Sequence, residues 1–160
     1  MEETPNSAGA GAATQEQFGI QNIYVKDISF ETPNSPQIFM EQWQPHLELE
    51  ISNDINRLKD ELYEVVLNIT ATAKVKEKTA FLVEVHQAGL FAVKGFAQDK
   101  LSYMLNSFFP NILFPFARET IANLVTRGGF QPLLLAPVNF DALYAQRLQE
   151  QKADKKKTIN

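Results

Sequence analysis

Cysteine is absent from this 160-residue chain. That excludes disulfides, Cys-ligated metals and thiol nucleophiles, and it fits a reducing compartment. Histidine is nearly absent too: only His46 and His86 occur, without an HExxH spacing or any convergent ligand set, so no metal is expected. There is no P-loop, no GxGxxG and no GxSxG, and no cofactor is expected. Gly128-Gly129 reads as a helix stop rather than a phosphate cradle. No long hydrophobic run exists either. The longest uncharged stretch, Leu101 to Ala117, is broken by Pro110 and Pro115 and makes a poor membrane span. The N-terminus is acidic and lacks the apolar core of a signal peptide, so a cytoplasmic location is expected.

What is present is charge of uneven sign and an excess of phenylalanine. The net charge is −4; residues 1–100 hold −7 and residues 101–160 hold +3. The acidic first part argues against nucleic acid as the main partner. Six of the twelve Phe fall between Phe108 and Phe140. A chain of this length is one domain that buries roughly 70% of its unfolded surface. Residues 1–16 are small and polar and read as a disordered tail, 17–150 as a single domain, and 151–160 as a basic, solvated, flexible tail.

Alternation of period two marks the strands. "YVKDISFE" puts Ile28 and Phe30 inward and Asp27 and Glu31 outward. "HLELEIS" is a second strand, followed by "NDINRLKD" as a polar connection. "LYEVVLNITATA" is the strongest strand, and "TAFLVEVHQAGLFAVKGF" is a fourth with a bend expected at Gly89. Short polar turns between them imply an antiparallel sheet. After Gly95 the spacing becomes helical, with Leu101, Met104, Leu105 and Phe108 on one stripe, an interruption at Pro110, and a restart capped by Asn111. Asn139 caps a last helix. The fold class is α+β: a four-stranded antiparallel sheet packed by two helices.

Two surfaces stand out. Asp27, Glu31, Glu48, Glu50 and Glu84 share the solvent parity, with apolar Leu82 beside Glu84. That pattern suits either a solvated face or a docking site for a basic partner, with charge for steering and an apolar anchor. The aromatic excess suits core, a groove or a subunit interface. An enzyme or small-ligand carrier on the same fold is the rival reading, with His86 and Asp141 as its best titratable groups. A purely structural oligomer is another.

The segments "IYVKDISFETPNSP", "WQP", "YEVVLNITATA", "TAFLVEVHQAGLF", "PNILFPFARETIANLVTRGGF" and "LAPVNFDALY" resemble, in order, the SecB family of protein-export chaperones. The resemblance implies a non-enzymatic, ATP-independent holdase that keeps secretory precursors unfolded and hands them to the SecA motor. It implies a homotetramer, a dimer of dimers. It carries SecA docking onto Asp27, Glu31, Leu82 and Glu84, and an apolar client groove onto Phe30, Phe39, Trp43, Phe114, Phe116 and Phe140. Val83 and Val85, opposite in parity to Glu84, are expected to pack the subunit and its oligomer interface. In the family the C-terminal tail makes a secondary contact with SecA; here that tail is basic.

Overall fold

The computed structural model describes residues 15–159. Of the expected N-terminal tail only Gln15 and Glu16 fall among them. Four long strands form one antiparallel sheet in the order β1-β4-β3-β2: β1 Gln17–Glu31, β2 His46–Lys59, β3 Leu62–Val75 and β4 Lys78–Lys94. The hairpins are tight. Lys76 and Glu77 both take positive φ (49° and 68°), the geometry of a two-residue turn that matches strand twist. The "NDINRLKD" segment, expected as a connection, is the second half of β2, because the turn falls only at Asp60-Glu61, where Glu61 has φ 63°. Alternation there is weak in polarity, and pairing with the apolar β3 decides the outcome.

One sheet face is the core. Val65, Leu67, Ile69 and Ala71 of β3, with Val83, Val85 and Phe91 of β4, have no exposed surface. Burying each Val, Leu, Ile or Phe is worth about 1.5–3 kcal/mol. At Gly89, where a bend is expected, β4 continues unbroken and keeps its register with β3. A side chain there would come within 2.6 Å of the Phe91 ring and 3.0 Å of Leu113, so the glycine serves close packing. Val83 and Val85 require a correction. Both are fully buried within their own subunit, so neither can touch another copy directly.

A long helix covers this face. Gln98–Tyr103, a π turn at Met104–Phe108 and Phe109–Arg127 follow without a break and are together called α1. The break expected at Pro110 does not occur. The wide turn just before it accommodates the missing N–H, and Pro110 stands at the start of the next α-helical segment. Pro115 lies inside the helix on an exposed position, where water can reach the carbonyl it leaves free. Phe109, Leu113, Ala117, Ile121 and Val125, spaced by four, form a fully buried stripe. Phe109 stacks on Phe91 with ring centroids 4.0 Å apart.

After Gly128 caps α1, residues 131–139 return along it, held by Arg118 Nε donating to the Leu135 carbonyl at 2.7 Å. The last helix, α2 (Phe140–Thr158), is capped by Asn139, whose side chain accepts from the Ala142 amide at 3.0 Å. It extends through most of the segment read as a flexible tail. Tyr144 and Arg147 tie its first half to Ser102 and Asn53, and every residue from Leu148 to Ile159 is exposed.

Candidate functional site

The face of the sheet opposite the helices is a ruled array. Strand register fixes its rows as Glu31–Leu82–Thr72–Glu48, Ser29–Glu84–Thr70–Glu50 and Asp27–His86–Asn68–Ser52. The four predicted docking residues therefore lie on two adjacent strands, with Glu31 directly opposite Leu82 and Asp27 opposite His86. Glu48 and Glu50, on β2, stand three strand spacings from Asp27 and Glu31, about 14 Å, and two from Leu82 and Glu84, about 10 Å. Between the two carboxylate margins lies a floor of Leu82, Thr70 and Thr72, all partly exposed. Neutralisation is sparse. Lys74 reaches Glu48 at 3.2 Å and His86 Nε2 lies 2.7 Å from Glu84 Oε1. Among the described residues, Asp27, Glu31 and Glu50 have no ion-pair partner.

Below these rows the same face carries a polar hub that sequence reading missed. Glu64 is only 9% exposed and accepts from Lys26 Nζ at 2.8 Å, Asn56 Nδ2 at 2.9 Å and the Tyr24 hydroxyl. Lys26 and Tyr24 hold its carboxyl down to about 2. Burial, then the Glu64 carboxylate, push the Tyr24 phenol up to about 12. Edge strands β1 and β2 are thus joined through one central carboxylate, which anchors the frame under the acidic rows. A glutamate placed next to Val65-Val66 in the most apolar strand was the available signal.

The second site lies at the end of the helix layer. Ile38, Phe39, Glu41, Trp43, Gly129, Phe130 and Gln131 line a cavity of about 180 Å³. Phe130 is its hub, with centroids 5.1 Å from Phe39, 5.4 Å from Trp43 and 5.2 Å from Phe81. Phe81 in turn lies 6.1 Å from Phe30. The glycine pair seats these rings. Gly128 lies against Phe30, where a Cβ would overlap the ring, and Gly129 (φ +90°) lies against Phe39. The helix stop therefore shapes the cavity as well as ending α1. Phe39 remains 50% exposed. Phe116 on α1 and Leu134 on the returning segment are also exposed, at 47% and 66%.

Two predicted groove residues are not surface. Phe114 and Phe140 pack edge to face at 5.9 Å and are 7% and 6% exposed, so they belong to the core between α1 and α2. The residues favoured by the rival reading do not converge. His86 is on the outer sheet face, whereas Asp141 is in the helix layer, bonded to Ser107 Oγ at 2.6 Å. Ser107 and then Tyr103 hold the Asp141 carboxyl below its ordinary range, as expected of a packing contact between helices.

Comparison with known proteins places this architecture. The sequence profile of the family described as preprotein translocase subunit SecB matches residues 11–151. The protein-export protein SecB of Nitrosococcus oceani is 55% identical over 154 residues, covering 95% of this chain and 94% of the relative. That of Marinobacter nauticus is 49% identical, covering 96% and 93%. Among solved structures, a SecB-like chaperone of Mycobacterium tuberculosis, in complex with a ChAD peptide from the HigA1 antitoxin, superposes with a TM-score of 0.64 at 15% identity. It covers 76% of this chain and 90% of that one, and at that identity the likeness is one of fold.

Proposed function

This chain belongs to the SecB family of protein-export chaperones, and we propose that it works as an ATP-independent holdase with two separate working surfaces. The carrying observation is their separation: an acidic array on the open sheet face, and an aromatic cavity at the end of the helix layer. Unfolded clients expose apolar side chains, and burial at roughly 25 cal/mol per Å² binds them without selecting a sequence. Phe30, Phe39 and Trp43 form the client seat with Phe130, and Phe116 with Leu134 extends it along α1. The SecA motor docks on Asp27, Glu31 and Glu84, with Leu82 as the apolar anchor. Release follows from competition by the motor for the client.

The role is non-enzymatic, and its setting is the cytoplasm; no helix among the described residues is long and apolar enough to cross a membrane. Residues 17–150 act as one working domain. The assembly is a homotetramer, a dimer of dimers. The support is the open edge of β1, which exposes Phe18, Ile20, Val25 and Ile28 at 44–46% and offers unpaired backbone to another strand. The test is suppression of aggregation of a chemically denatured protein, without nucleotide, alongside SecA binding. Glu84→Lys should impair SecA binding and leave aggregation suppression intact. Parallel loss of both activities would overturn the two-surface reading.

A further inference from the structure

The far end of α2 serves neither surface just described. Every residue from Leu148 to Ile159 is exposed, so about 18 Å of helix stands clear of the subunit at 1.5 Å per residue. Charge is segregated onto it. Four lysines against Glu150 and Asp154 leave +2 on residues 148–159, and therefore −6 on the remainder of a chain whose net charge is −4. The four lysines stand about 6–14 Å beyond Leu148, around one screening length of about 8 Å at physiological ionic strength, so the acidic body offsets them only in part. None of the four lysines has a carboxylate partner among the described residues. Helical spacing sets Lys152, Lys155 and Lys156 on one face. Leu148 precedes them on that face, and Ile159, 83% exposed, follows them.

We propose that this helix end is a contact for an anionic lipid surface. Basic side chains bounded by aliphatic ones suit phospholipid headgroups above an acyl layer. A nucleic acid groove would favour arginine and stacking aromatics, and residues 148–159 contain neither. Each net positive charge near an anionic bilayer raises partition by about fivefold, so a net two charges give about thirtyfold over a neutral bilayer. That is weak and reversible for one chain and is multiplied when several copies engage at once.

The experiment is sedimentation of the full-length protein with phosphatidylcholine vesicles, with and without phosphatidylglycerol, in the absence of any motor. Binding should require phosphatidylglycerol and vanish near 1 M salt, where the screening length is about 3 Å. The triple change Lys152→Glu, Lys155→Glu, Lys156→Glu should remove it with unchanged thermal unfolding, because all three sites are exposed. Ile159→Ser should weaken vesicle binding severalfold without affecting retention on heparin. No binding at low salt, or equal binding by the triple variant, would overturn the proposal. If Ile159→Ser left vesicle binding unchanged while single-stranded RNA bound more tightly than vesicles, the site would be a polyanion contact instead.

Discussion

Replacing Glu64 by glutamine removes a carboxylate that binds both edge strands to the centre of the sheet. Held at about 2 against an ordinary 4.5, this carboxylate stabilises the fold by about 3 kcal/mol, at about 1.4 kcal/mol for each tenfold. Lys26 is 47% exposed, so solvent screens part of that pairing, and about 2 kcal/mol is the figure to expect. The sign follows from the direction. A carboxyl whose folded value lies below its unfolded one contributes fully above about 4.5, and the contribution drains away as pH falls toward about 2. Glutamine does not titrate. Urea unfolding followed by Trp43 fluorescence, at one protein concentration across a pH series, should show wild type ahead by about 2 kcal/mol at neutral pH. The gap should close in acid. A difference that stays constant down to about pH 3 would refute the electrostatic account and leave only a packing effect.

Gly128→Ala should lower stability by about 1–3 kcal/mol through overpacking against Phe30, read as a reduced melting temperature; an unchanged value would mean the ring moves aside freely. Trp43 fluorescence should change when an unfolded client is added and not when the same protein is added folded, since Trp43 borders the cavity beside Phe130. Phe116→Ala, half exposed and outside the core, should leave melting within about 1 kcal/mol while weakening client retention. Retained client binding would confine the groove to the cavity around Phe130. Phe114→Ala should instead destabilise by about 3–5 kcal/mol, as a core truncation does.

The inner and outer faces of β3 and β4 were legible because alternation survives wherever one face is fully buried, and those of β1 because carboxylates alternate with Ile28 and Phe30 over 27–31. Tyr63 through Ala73 is the clearest case, and Asp27, Glu31 and Glu84 follow from it. Legibility failed where polarity did not vary with position. "NDINRLKD" is polar on both parities, yet it is a strand because β3 offers it partners. Pro110 looks like a stop in one dimension, whereas a π turn takes up its missing donor. The proposed groove was half legible. The aromatic excess was visible, but dividing it needed contacts: Phe114 and Phe140 find each other, and Phe39 and Trp43 gather on Phe130. The Glu64 hub depends on three donors brought in from Tyr24, Lys26 and Asn56, separated from it by up to 40 positions.

Because β1 alternates, Asp27 and Glu31 face one surface while Ile28 and Phe30 face the other. The two proposed roles are written on odd and even letters of one short word. Point substitutions can therefore revise either surface without touching its counterpart, and the two can drift independently in a lineage. A single-residue deletion within 27–31 has no such freedom. It would slide every following side chain to the opposite face, setting an aromatic ring among the carboxylates and a carboxylate against the Phe81 ring. β1 takes up its register shifts between Ile20 and Asn22 and between Val25 and Asp27, outside this span, so length within 27–31 should be more tightly held than identity, and a genetic screen over these positions should recover many viable substitutions and few viable one-residue indels.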